Sequence, residues 1–199
     1  MADSTVDYYE IYAERYVDGT VSVDMSDSLL RFVRHVRPGG RIVDLGCGSG
    51  RDLRWFREQG FQAEGIDASA ALCRLAEAHA GVPVRQVRIE TWTPGARVDG
   101  IWANASLLHL GMPAIAAFFG RLSSLLAPGG AAFFAFKSGI ATGWDGSGRF
   151  FTNFTKADLR RVLDGHPDLV LLDCWESADK LERTGYVWLS FILGLKPGA

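Results

Sequence analysis

The sequence predicts an α/β fold built on a doubly wound parallel sheet, and three observations predict it. Apolar strand-like runs alternate with helical patterns from residue 40 onward, which is what a parallel sheet covered on both faces requires. Three alternating glycines, Gly46, Gly48 and Gly50, join the first of those runs to a helical pattern, so the backbone can turn sharply and approach a ligand. A carboxylate, Asp67, closes the second run, at the strand end where an open parallel sheet places its ligand.

The elements follow in order. Strand one is Arg41 to Leu45, and a helix runs from Arg51 to Gln59. Strand two is Phe61 to Ile66, and Ser69 caps a helix from Ala70 to His79. Strands three, four and five are Val84 to Arg88, Val98 to Ala103 and Ala131 to Phe136, with Pro113 near the start of a helix over Ala114 to Leu126. Lys137 to Gly148 carries four glycines and reads as a loop without regular structure. Thr155 caps a helix through Asp164, and Leu169 to Trp175 and Tyr186 to Leu193 form a final strand pair. Ahead of the sheet lie two helices, Val6 to Val17 and Asp24 to Val36. In the first, Tyr8, Tyr12 and Tyr16 recur at four-residue spacing and share one face.

Composition narrows the function classes. A chain of 199 residues is most simply one domain, here an amino-terminal helical lid (1–37) and a sheet core (38–199). At 48% hydrophobic and 22% charged it is ordinary for a soluble globular protein, and no apolar run reaches the roughly 18 residues of a membrane span. The start is acidic rather than basic, so a cytoplasmic location is expected. A formal charge of -2 gives no electrostatic reason to expect nucleic acid, and Arg31, Arg34, Arg37 and Arg41 read as a solvated helix face. Three scattered cysteines support neither a disulfide framework nor a metal site. A monomer or homodimer is expected.

The glycine spacing selects the ligand. G-x-G-x-G, preceded by Asp44, differs from the G-x-G-x-x-G of a dinucleotide site, and a carboxylate opening the loop suits an ammonium group better than a pyrophosphate. Val43-Asp44-Leu45-Gly46-Cys47-Gly48-Ser49-Gly50 followed by Gly65-Ile66-Asp67-Ala68-Ser69 resembles the first motifs of class I S-adenosylmethionine-dependent methyltransferases. Val98 to His109 is similar to that family's fourth strand and substrate-facing turn, and Leu125-Leu126-Ala127-Pro128-Gly129-Gly130 through Phe136 to its next helix, turn and fifth strand. Phe136 to Thr152 resembles a small bacterial subgroup that includes tellurite-resistance-like and small-molecule methyltransferases.

The resemblance implies a Rossmann-like seven-stranded sheet in the order 3-2-1-4-5-7-6, with strand 7 antiparallel. It implies S-adenosylmethionine as cofactor and S-adenosylhomocysteine as product. Asp44, Gly46, Cys47, Gly48 and Gly50 would surround the methionine part, Asp67 the ribose, and Ala68 and Ser69 the ribose and adenine side. Glu90 and Thr91 fall where the family holds adenine, with Trp92 flanking the ring, and Asn104 would face the methionine ammonium. Arg51 and Asp52 either fix the loop or the carboxylate end of the cofactor, or form a surface ion pair at the start of a helix. The amino-terminal helix would close as a lid, with Tyr12 or Tyr16 on the cofactor or substrate.

His109 is the one histidine near the substrate mouth, a candidate base or a structural group. Lys137, Trp144 and Arg149 are candidates for an anionic or aromatic acceptor, the other reading being that Arg149 pins its loop to Asp145 or Asp179. The leading function is methyl transfer to a small-molecule acceptor. An RNA or protein methyltransferase and a non-catalytic cofactor-binding protein stand behind it, the last because a fold does not guarantee its usual activity.

Overall fold

The computed structural model describes residues 4–196. Seven strands form one sheet: β1 (Arg41–Leu45), β2 (Gln62–Asp67), β3 (Val84–Gln86), β4 (Val98–Asn104), β5 (Leu126–Ser138), and the last two in sequence, β8 (Leu169–Ser177) and β9 (Val187–Leu195). Their order is β3-β2-β1-β4-β5-β9-β8. The first five run parallel, and β9 is antiparallel to both β5 and β8. This is the predicted order, since two short strands, β6 (Gly143–Trp144) and β7 (Phe150–Phe151), pair only with each other.

That hairpin corrects the expected irregular loop after strand five. Its turn is closed by Asp145, whose Oδ1 accepts from the amides of Ser147 and Arg149, so one side chain supplies the order that the glycines alone do not predict.

Period-two alternation along β5 builds a core on each face. Ala132, Phe134 and Phe136 face one way, toward Phe118 and Phe119 of α6 (Met112–Leu125), with Phe191 of β9. Ala131, Phe133 and Ala135 face the other, where Trp102 stacks on Phe133 at 3.9 Å beside Phe56 of α4 (Arg51–Glu58) and Phe32 of α3 (Ser26–Val33). Each of these aromatic side chains contributes roughly 1.5–3 kcal/mol by leaving water. α3 is therefore a layer of the core rather than part of a lid. Further along, α7 (Lys156–Gly165) starts at a capping box in which Thr155 and Asp158 satisfy each other's backbone amides.

The expected first helix is two helices. α1 (Ser4–Ile11) and α2 (Ala13–Thr20) break at Tyr12, whose backbone leaves the helical region at φ -108 and ψ 24. The break resets the aromatic register: Tyr8 still meets Tyr12, at 5.0 Å between centroids, but Tyr16 meets Tyr9, at 5.1 Å. Both helices pack on α5 (Ala70–Ala80), where Ala13, Ala71 and Leu72 form a small cluster with Tyr9 and Tyr16. Among the described residues no helix is long and apolar enough to cross a membrane.

Candidate active site

The ends of β1 and β2 form the floor of the site. After Leu45 the chain turns through Gly46 and Gly48, at φ +73 and +55, and the loop is held where it is by its own amides. Those of Gly46 and Cys47 both donate to the Ile66 carbonyl, at 2.8 and 3.0 Å, and that of Gly48 to Asp67 Oδ2 at 3.1 Å. A Cβ on Gly46 would lie 2.5 Å from Ser106 Cβ, and one on Gly48 would lie 3.0 Å from the Tyr16 ring. Only glycine combines this backbone with these neighbours. Asp67 Oδ1 accepts from the Ser69 amide, and burial lifts the Asp67 carboxyl above its usual range despite these bonds. Ser69 caps α5 and donates its hydroxyl to Glu10 Oε2 at 2.6 Å, which fastens α1 beside the site.

Two further acids lie beside the loop. Asp52 is a buried hub that accepts a bidentate pair from Arg51 (2.6 and 2.9 Å), the Trp102 indole N–H at 2.8 Å and the Asn104 amide at 3.1 Å. Burial pushes its carboxyl up, but Arg51 and these donors outweigh burial and hold it below its usual value. The Arg51–Asp52 pair is thus interior, not the surface pair the sequence allowed. Asp44, only 2% exposed, has no such donors: among the described residues no hydrogen bond or ion pair reaches its side chain. Burial, then the neighbouring Asp52 charge, raises it well above the ordinary carboxylate range.

Two cavities open from this floor and share Tyr9, Tyr16, Gly46, Ala105 and His109 in their walls. One, of about 100 Å³, lies against Asp67, Ala68, Ser69 and Glu90. The other, of about 160 Å³, runs from Asp44, Cys47, Arg51 and Asn104 to Lys137 and Arg149. At their junction Ala105 adopts φ +58, a left-handed backbone that costs a non-glycine residue free energy and marks a place where geometry outranks local stability.

His109 stands at the same junction, on a short 3-10 turn, and its protonation state follows from its partners. Its Nδ1 lies 2.7 Å from the Phe150 carbonyl, which can only accept, so Nδ1 carries the hydrogen. Burial, opposed by that bond, drops its pKa to about 4, so Nε2 is a bare acceptor at neutral pH and the Tyr9 hydroxyl, 2.9 Å away, donates to it. Burial also pushes Tyr9 up to about 12, although the neighbouring Arg149 pulls the other way.

The structure brings together most of the residues singled out from sequence. Asp44, Gly46, Cys47, Gly48, Arg51, Asp67, Ala68, Ser69, Glu90 and Asn104 line the cavities with Tyr16, His109, Lys137 and Arg149, and Gly50 opens α4 as its N-cap.

Four residues lie elsewhere. Tyr12 is 46% exposed and turned out by the helix break, and Trp144 is 61% exposed on the hairpin, packed edge-on to Phe150. Thr91 is exposed and bonds back to the Arg88 carbonyl. Trp92 is 1% exposed in the core, behind Ile89, rather than beside a ligand. Arg149 pairs with Asp145, at 2.8 Å, and not with Asp179.

Sequence reasoning missed Tyr9 and the segment from Ser177 to Arg183, which walls the larger cavity. No Gly or Pro marks the break at Tyr12, so only the packed structure shows that Tyr9, not Tyr12, faces inward.

A Rossmann-like sheet of this order, with a glycine turn between two acids at its carboxyl edge, is the fold of nucleoside-cofactor methyltransferases. The sequence profile of the family described as methyltransferase domain matches residues 17–139, and the chain belongs to that family. It is a member of the class I, S-adenosylmethionine-dependent group. A trans-aconitate 2-methyltransferase of Acidovorax sp. (strain JS42) is 41% identical over 105 residues, covering 51% of this chain and 40% of that protein. A ubiquinone biosynthesis O-methyltransferase of Bradyrhizobium sp. (strain ORS 278) is 34% identical over 97 residues, covering 46% and 38%. The matched stretch thus spans about two fifths of the length of these curated relatives. Among solved structures, the 1,6-didemethyltoxoflavin-N1-methyltransferase of Burkholderia thailandensis, bound to 1,6-didemethyltoxoflavin and S-adenosylhomocysteine, superposes with a TM-score of 0.74. It is 22% identical and covers 96% of this chain and 88% of that one, a likeness of fold.

Proposed function

We propose that the chain transfers a methyl group from S-adenosylmethionine to a small-molecule acceptor, and that the two cavities meeting at Tyr9, Tyr16 and His109 are where this happens. The observation that carries the reading is Asp44: a buried carboxylate without a partner, facing a cavity floored by glycines, fits a ligand that brings its own positive charge. When bound, that cofactor supplies a methyl group on a positively charged sulfur, open to in-line attack.

The chain's part is to bind, align and keep out water. Asp67 would hold the ribose, Glu90 and the neighbouring backbone the adenine side, and Asp44 with the Asn104 carbonyl oxygen the ammonium. Asn104 is suited to this because its amide nitrogen is already committed to Asp52, leaving the oxygen as its free end. Tyr16 and Tyr9 close the site from above, so α1 and α2 alone serve as the lid. With both ring nitrogens engaged, His109 acts as a positioning residue for the Tyr9 hydroxyl rather than as a free base.

Calorimetric titration with S-adenosylmethionine, S-adenosylhomocysteine and NAD tests the reading. The expected result is micromolar binding of the two sulfur nucleosides, no binding of NAD, and an affinity loss of about 100-fold in Asp67→Ala. Tight NAD binding, or binding of none of the three, sinks the proposal.

A further inference from the structure

The acceptor end of the larger cavity holds a half-buried lysine that no acid pairs with among the described residues. Lys137, at the carboxyl end of β5, extends its ammonium over Phe151 at 4.3 Å, Tyr186 at 4.6 Å and Trp188 at 5.8 Å. These rings attract a cation but accept no strong hydrogen bond. Among the described residues no hydrogen bond or ion pair reaches Nζ, so its three donors are left to whatever enters the cavity.

The neighbouring acids are spent on other groups. Asp145 holds Arg149 through Nε and Nη2 at 3.1 and 2.8 Å. Asp179 holds Arg183 through Nε and Nη2 at 3.0 and 2.8 Å, and also accepts from the Tyr186 hydroxyl and the Trp188 indole, each at 2.8 Å. A 7% exposed carboxylate is thereby used to fix two walls of the lysine's cage and not to neutralise the lysine. With each arginine matched by its own aspartate, the lysines of this wall are the cations left without an ion pair among the described residues, Lys180 exposed and Lys137 half-buried inside the cage.

We propose that the acceptor is a small organic acid whose carboxylate is received by Lys137 Nζ beside Arg149, with its nucleophilic end reaching the Tyr9–His109 junction. This rests on the methyl-transfer reading above. One caged ammonium matches one carboxylate, whereas a dianionic phosphate would bring a second charge into the cage. Phe151 links the two: its ring packs on Lys137 Nζ at 4.3 Å and on the His109 ring at 4.7 Å between centroids. The anchored carboxylate and the reacting atom are then different ends of the acceptor. The ammonium's own titration agrees in direction, since burial and then the Arg183 and Arg149 charges lower Lys137 to about 8, a strain that an anion relieves.

The test is calorimetry on the protein saturated with S-adenosylhomocysteine, using matched pairs: benzoate and benzamide, phenylacetate and phenylacetamide, trans-cinnamate and cinnamamide, with benzylphosphonate as the dianion. At least one acid should bind about tenfold tighter than its amide, the preference should vanish in Lys137→Met, and Lys137→Arg should restore it. Three pairs without an acid preference would overturn the proposal. So would a preference that survives Lys137→Met, or benzylphosphonate binding more tightly than phenylacetate. S-adenosylhomocysteine affinity in Lys137→Met, expected to stay close to wild type, separates loss of the acceptor subsite from loss of the fold. Should the wild-type protein not bind the nucleoside at all, the methyl-transfer reading fails by itself, and the acid–amide comparison on the free protein still decides the carboxylate site.

Discussion

The two walls of the site are built in opposite ways. The acidic wall is made by backbone: Asp44 and Asp67 stand at or near the ends of adjacent strands, and the loop between sheet and helix is pinned by amides that donate to Ile66 and Asp67. The basic wall is made by side chains from three separate segments, Lys137 of β5, Arg149 of the hairpin and Arg183 of the β8–β9 connection, each arginine held by an aspartate four residues away. A wall fixed by the sheet keeps its geometry when side chains change. One fixed by local ion pairs can be remodelled without disturbing the fold, which suits a cofactor common to a family and an acceptor particular to one member.

Four substitutions and one titration would break or sharpen that contrast. The largest effect is expected from Arg51→Met, which leaves Asp52 charged and buried beside Asp44; stability to urea should fall by about 3–5 kcal/mol. Gly46→Ala forces a Cβ toward Ser106 in a left-handed backbone, so unfolding should be easier by about 2 kcal/mol or more and S-adenosylhomocysteine affinity should drop with it.

Acidification comes next. His109 is neutral in the folded protein with a pKa of about 4, while the unfolded chain takes up that proton near 6.5. The unfolded state therefore binds more protons between those values. The contribution is intact above pH 6.5 and lost as pH falls toward 4, by roughly 2–3 kcal/mol, and His109→Gln should flatten this part of a stability–pH curve.

On the basic wall, Asp145→Ala frees a partly exposed arginine and loosens the hairpin, for about 1 kcal/mol by thermal unfolding. Tyr12→Phe, outside both cavities, should shift stability by no more than about 0.5 kcal/mol and leave nucleoside binding unchanged. An effect of Tyr12→Phe comparable to that of Gly46→Ala would mean that the lid closes in a different register.

The acidic wall was legible in the sequence and the basic wall only in part. A strand, a glycine turn and an acid lie within 27 residues, from Arg41 to Asp67, and their geometry is set by local backbone rules and by pairing of adjacent strands. Lys137 and Arg149 were recognisable as candidates by type. Their arrangement was not, because two of the three rings of the aromatic cage come from residues some fifty positions later, and the aspartate that fixes them lies on a connection with no motif. Tyr9 was hidden behind a four-residue tyrosine repeat that an unbroken helix would have placed on one face. Trp92 was misjudged for a related reason: nothing local distinguishes a core indole from one beside a ligand.

By itself the sequence determined the sheet, its order through family resemblance, and the loop and acids that floor the two cavities, because strand alternation, glycine and strand-end carboxylates act over a few residues. Tertiary structure alone decided which tyrosine faces inward, that the Arg51–Asp52 pair is interior, that His109 is locked neutral between Tyr9 and Phe150, and that the caged Lys137 ammonium has no acid partner among the described residues. Each of those depends on which distant group arrives at hydrogen-bond distance and how much water is excluded when it does, and neither quantity exists until the layers have packed.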